Sequence, residues 1–155
     1  MDIAQLLATA GVVLRSGASS KRQALHTVAD TAARALGLNE DRILESLLER
    51  EALGSTSLGA GVAVPHARIA GLERVVAVFV RLDTPVTYGS LDDRPVDLIF
   101  ALFAPPSDGA EHLRALAAVS RALRSSEMRQ QLRQARTVDA IRALFVKDAA
   151  PATAA

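Results

Sequence analysis

Apolar residues recur along this chain with two periods, one suited to helices and the other to strands. Val12-Val13-Leu14 is a short apolar run followed by Arg15-Ser16-Gly17-Ala18-Ser19-Ser20. That order predicts a strand and then a turn. Ser19 or Ser20 can cap the next helix, because a hydroxyl there accepts from the free N–H groups of the first turn. Ala24, Leu25, Val28, Ala29, Ala32 and Leu36 then repeat at helical spacing. Gly37 ends that helix. Asn39 caps a second one, with Ile43, Leu44, Leu47 and Leu48 on its apolar side and its end near Glu49-Arg50-Glu51.

The pattern changes at Gly54. Residues 54–61 are small and polar, with Gly54, Gly59 and Gly61 among them. Val62-Ala63-Val64 follows and Pro65 stops the run. A strand ending at Pro65 is predicted, because proline cannot donate to a ladder. His66 is then expected just past the strand end, in a loop. Val75 to Leu82 is a strand apolar on both faces, as suits a covered central strand. Val86-Thr87-Tyr88 reads as a short strand or extended edge, and Val96 to Phe103 as the last strong strand before Pro105-Pro106.

A third helix is predicted from about Asp108, where Asp108 and Glu111 resemble a capping box. Leu113, Leu116, Ala117, Ser120 and Leu123 form its expected buried stripe. Two shorter helices are expected at about Glu127–Gln134 and Val138–Phe145. Residues 149–155, rich in alanine, read as a disordered tail. Interleaved helices and strands, with two strands buried on both faces, predict one α/β domain over residues 1–148. In it, a sheet carries helices on each side. Sites in such sheets collect in loops beyond strand ends.

Composition narrows the chemistry. The 155 residues can share one core. Aromatics are 3%, with no Trp, which leaves little for a stacking platform under single-stranded nucleic acid. Net charge is +1, so no polyanion partner is implied. Arg121, Arg124, Arg129, Arg133, Arg136 and Arg142 are spread over several helical faces and read as a solvated surface. The absence of cysteine excludes disulfides, thiolate catalysis and cysteine–zinc sites. No signal-like N-terminus is seen, and no apolar run approaches the ~20 residues of a membrane span. A cytoplasmic protein without membrane insertion is expected.

Three histidines remain to be weighed. His26 lies beside the apolar stripe of its helix and reads as a solvated residue. His66 is either an ordinary loop residue or a nucleophile held by a strand and a fixed proline. Imidazole has an unperturbed pKa of about 6.5, so its neutral form is available near pH 7 to attack phosphorus. His112 falls in the first turn of the third helix, where free N–H groups and the positive end of the dipole favour an anion and disfavour imidazolium. It reads as a surface residue or as a donor to a phosphate. Arg50, at a helix C-terminus, is favourable there by itself and can also balance a phosphoryl group. Ser55 and Thr56 can offer hydroxyls and N–H groups to the same anion, although no Gly-Lys-Ser/Thr closes a Walker loop. Two spaced histidines without a third ligand make a poor zinc site.

The stretch from Arg50-Glu51 through Gly54-Ser55-Thr56 to Gly61-Val62-Ala63-Val64-Pro65-His66 resembles the signature of phosphotransferase-system EIIA domains of the fructose/mannitol class. Pro95-Val96-Asp97-Leu98-Ile99-Phe100-Ala101-Leu102 and His112-Leu113 match its second element, and the likeness covers roughly residues 2–146. Within the class the chain is most similar to the nitrogen-regulatory branch. Ala67-Arg68 departs from the commonest Gly-Lys, which bears on partner choice. The resemblance implies a mixed sheet between helix layers. It implies a phosphotransferase component that carries phosphate on His66 Nε2, with His112 assisting and Arg50 balancing charge, and with Thr56 contacting the phosphate. No cofactor or metal is implied. The donor would be an HPr-like phosphocarrier (NPr), and the targets regulatory partners such as transporters or kinases. Two alternatives stand. One is a sugar-specific EIIA serving an EIIB; the other is a binding module that works without phosphate. A shallow apolar rim of Leu58, Val62 and Ile69 is expected around His66.

Overall fold

A computed structural model describes residues 2–107 and 109–149. In chain order the elements are α1 (Ile3–Leu6), β1 (Leu7–Ser16), α2 (Lys21–Leu36), α3 (Glu40–Ala52), β2 (Ser57–Gly59), β3 (Val62–Ala63), β4 (His66–Arg68), β5 (Val76–Val86), β6 (Val96–Ala104), α4 (Gly109–Arg124), α5 (Ser126–Gln134) and α6 (Val138–Ala149). Alternation along β6 explains how they layer. Leu98, Phe100 and Leu102 enter one buried cluster, whereas Ile99, Ala101 and Phe103 enter another. Successive strand residues point to opposite faces, so both faces of this strand are covered. Helices α1, α4, α5 and α6 supply the first cluster, for example through Ile3, Val119, Leu132 and Phe145. Helices α2 and α3 supply the second, through Val28, Ala32, Ile43 and Leu47. The three-layer α/β sandwich expected from the sequence is the one observed.

Strand order is β1-β5-β6-β3-β2, and β4 also pairs with β6. The β1–β5, β3–β6 and β4–β6 ladders are parallel, whereas β5–β6 and β2–β3 are antiparallel. The sheet is therefore mixed.

Helix boundaries follow their local chemistry. Ser20 caps α2 by accepting from the Gln23 N–H, and Gly37 closes it at φ 69°. Asn39 caps α3 through the Arg42 N–H. The expected Asp108 cap and residues 150–155 of the expected tail lie outside the described residues, whereas Ala149, expected in the tail, ends α6.

Several expectations are corrected. β1 begins at Leu7, not Val12. Ala10 has φ 64°, and the pairing passes from Leu7 opposite Ala77 to Val12 opposite Phe79. This bulge breaks the alternation, so only its far side shows as an apolar run. The expected strand at Val75–Leu82 runs on to Val86 as one strand, β5, with a register shift between Arg81 and Val86, and Thr87 and Tyr88 lie beyond its end. The buried stripe of α4 is His112, Ala115, Val119, Ala122 and Leu123, and Leu113 is 68% exposed. Both candidate stripes satisfy the helical period. Small side chains let α4 approach the sheet closely, and that contact chooses the stripe.

His66 is not in a loop. The Pro65 carbonyl accepts from the Leu102 N–H at 2.9 Å. The ladder thus passes through Pro65, and His66 opens β4 opposite Leu102. Proline removes only a donor; its carbonyl still serves the ladder, and the missing N–H falls in the break between β3 and β4.

Candidate functional site

The two helix layers meet at the β4 edge, and the predicted residues meet with them. Arg50 comes from the last turn of α3, His112 from the first turn of α4, and His66 from the start of β4. They line one open cavity of about 480 Å³ with Leu53, Leu113 and Leu116.

Two hydrogen bonds define the state of His66. Its Nδ1 lies 2.9 Å from the Val64 carbonyl. A carbonyl only accepts, so Nδ1 carries the proton. On the other side, Arg50 Nε donates to His66 Nε2 at 3.3 Å. An Nε–H only donates, so Nε2 presents a lone pair. Both bonds select the same neutral tautomer, with its nucleophilic nitrogen beside a cation. The pKa of His66 is held below its ordinary 6.5. Burial is the main cause and the Arg50 charge adds to it, while the Val64 bond and Glu51 oppose.

The rings of His66 and His112 stand 5.5 Å apart, edge to face. Burial lowers the pKa of His112, and the charges of His66 and Arg68 lower it further. Its Nε2 is buried and has no hydrogen-bond partner among the described residues. The guanidinium of Arg50 is also fixed by Nη1, which donates to the Gly54 carbonyl at 2.9 Å. An anion placed in this cavity would meet a guanidinium, a neutral imidazole lone pair and a second ring nitrogen still lacking a partner.

Ser55 and Thr56 are engaged elsewhere. The Thr56 hydroxyl makes a short bond to Glu51 and faces the Tyr88 hydroxyl at 3.1 Å. Ser55 Oγ donates to the Tyr88 carbonyl at 3.4 Å. To bind phosphate, as the resemblance implies, each hydroxyl would have to leave its present acceptor. His26 pairs with Glu40 across α2 and α3 at 3.3 Å, away from the cavity.

The apolar rim differs from expectation. Val62 and Ile69 are buried in the two cores, because strand alternation and the turn after β4 direct them inward. Leu58 is exposed but does not line the cavity. The rim is instead Leu53, 85% exposed, with Leu113 and Leu116. Leu53 follows α3, and α4 supplies Leu113 and Leu116 through the same rotation that changed its buried stripe.

The family described as phosphoenolpyruvate-dependent sugar phosphotransferase system, EIIA 2, matches residues 5–148. The chain belongs to this family. It is 43% identical to the nitrogen regulatory protein of Bradyrhizobium diazoefficiens over 155 residues, covering 100% of both chains. The crystal structure of nitrogen regulatory protein IIA-Ntr from Neisseria meningitidis superposes with a TM-score of 0.87 at 32% identity, covering 92% of this chain and 98% of that one. A fructose-specific EIIA component of Haloferax volcanii is 30% identical over 135 residues, covering 86% of this chain and 88% of that one.

Much of this EIIA chain's arginine is structural, which the sequence reading missed. Arg81 donates to the Leu132, Arg133 and Ala135 carbonyls at the end of α5 and to the Leu14 carbonyl. Arg129 holds the Leu123 and Arg124 carbonyls, and Arg142 those of Leu7 and Ala8. Arg129, Arg133 and Arg142, expected as a solvated surface, are committed to the fold. For Arg81, Arg133 and Arg142 no run of sequence could have shown this, because their acceptors lie on distant segments brought near only by packing. Among the described residues, no helix is long and apolar enough to cross a membrane.

Proposed function

We propose that this EIIA domain accepts a phosphoryl group on His66 Nε2 from the phosphohistidine of an HPr-like carrier and passes it on. The tautomer carries the reading: Nδ1–H is pinned to the Val64 carbonyl, so the lone pair at Nε2 faces the cavity. In an in-line step the P–N bond to the donor imidazole breaks as the P–Nε2 bond forms. The proton stays on Nδ1, donated to the Val64 carbonyl, throughout. Arg50 exchanges its bond to Nε2 for phosphoryl oxygens and balances their charge. The unpartnered His112 Nε2 gains an acceptor. Leaving and attacking groups are both imidazoles, so the exchange is readily reversible.

The nitrogen-branch role is supported by the Bradyrhizobium relative, which matches end to end. In that role the phosphate acts as a signal, carried from an NPr-type donor and altering contacts with transporters or kinases. Transport is the second reading, favoured by the fructose-specific relative. There, phosphate would move on to an EIIB.

The test is incubation with phosphoenolpyruvate, enzyme I and the carrier. Wild type should acquire one acid-labile phosphate, and His66→Ala none. Label that persists in His66→Ala would remove the assignment. Rapid loss of label to an EIIB, against none to EIIB in a regulatory protein, separates the two roles.

A further inference from the structure

Glu51 is the charged neighbour of the pocket that this chemistry leaves unused. It follows Arg50 in α3, and its side chain is only 5% exposed. A carboxylate at that depth needs donors around it. Lys21 Nζ stands 2.9 Å from Oε1, and the Thr56 N–H donates to the same oxygen at 3.2 Å. The Thr56 and Tyr88 hydroxyls both donate to Oε2. Burial, and then the Glu51 charge, push the Tyr88 phenol well above its ordinary pKa, so it remains a donor. Lys21 completes the cluster by donating to the Tyr88 carbonyl at 3.2 Å and lying 4.3 Å over its ring.

These bonds act on Arg50 through the turn after α3. Glu51 grips Thr56 by its N–H and its hydroxyl. Two residues earlier in the same turn, the Gly54 carbonyl receives Arg50 Nη1. A guanidinium is planar, so fixing Nη1 and Nε fixes all three nitrogens. We infer that Glu51 is a positioning residue. By clamping the 54–56 turn through Thr56, it sets the plane of Arg50 against His66 Nε2. The inference rests on the phosphoryl reading of His66 and gives Thr56 a role through Glu51.

The experiment compares Glu51→Gln, Arg50→Met and the double variant. It reads the transfer rate from the phosphorylated carrier, and the nitrogen resonances of Arg50 Nε and His66 Nε2 in the unphosphorylated protein. Glu51→Gln alone should slow transfer by about 10-fold, the scale expected when a reacting geometry is loosened. In the Arg50→Met background it should cost no more than about 2-fold, because the group it positions is gone. Its Arg50 and His66 resonances should move. Equal fold losses in both backgrounds, a wild-type rate, or unmoved resonances would overturn the role. Should Glu51→Gln fail to fold, Thr56→Val replaces it, with a smaller loss and the same non-additivity. If wild type takes no phosphate at all, the fault lies with the reading of His66, and the resonances still decide whether Glu51 positions Arg50.

Discussion

Arg50 and Arg133 are both half-buried, yet they spend their donors differently. Arg133 faces Asp97 with Nε at 3.0 Å and Nη2 at 2.8 Å, and Nη2 also reaches the Ala60 carbonyl at 2.9 Å. Its charge is answered and its bonds tie α5 to the glycine turn before β3. Arg81, beside it, gives every bond to carbonyls. Arg50 instead faces a neutral imidazole and one carbonyl, and its Nη2 holds no partner among the described residues. Residue type is the same in each case. What differs is whether donors and charge are left over. An arginine with both in reserve beside a cavity can take an anion; one with neither holds the fold.

The contrast can be broken by exchanging the losses. Arg50→Met should slow phosphoryl transfer by roughly 100-fold, the cost of a lost charge contact to the transferred group, with Tm unchanged. Arg81→Met should leave transfer intact but strip several carbonyls of their donor. At ~1–3 kcal/mol for unsatisfied buried groups, Tm should fall by several degrees, about 3 °C per kcal/mol at this size. Equal effects of the two variants on transfer, read beside thermal melts, would end the distinction.

A smaller effect is expected at His112. His112→Ala should still accept phosphate, about 10-fold more slowly, since it loses one donor to the phosphoryl group. A wild-type rate in rapid-quench measurements would remove the assisting role.

Acidification should produce the mildest change and sharpens the comparison from another side. Folding holds the pKa of both His66 and His112 below the ordinary 6.5. The unfolded chain therefore binds more protons at these sites as pH falls through 6.5, and stability falls with it until the folded pKa values are passed. Denaturant unfolding at pH 7.5 and 5.5 should show a larger loss in wild type than in the His66→Ala/His112→Ala double variant. An equal loss would count against the shifts. Transfer, which needs neutral Nε2, should hold at pH values slightly below 6.5. In Arg50→Met its acid limb should move up, because one cause of the lowered pKa is gone.

What could be read without coordinates was local. Ser20, Gly37 and Asn39 mark helix ends because a cap acts on N–H and C=O groups within a few residues of itself. β6 was legible because its apolar residues run unbroken from Leu98 to Ala104 and alternate between two cores. Arg50, His66 and His112 were each singled out by a helix end or a proline. Their 5.5 Å ring contact and shared cavity were not, since the three lie on different elements.

The sequence by itself determined the two-faced sheet, the helix boundaries and the family signature, because periodicity, capping and motif spacing are properties of neighbouring residues. Only the tertiary structure decided four things: the tautomer of His66, the face of α4 turned to the core, the duties of the arginines and the donors gathered around Glu51. The face of α4 depends on how its side chains pack against the sheet; the others depend on which carbonyl or carboxylate lies within about 3 Å of a donor, and packing between distant segments sets both.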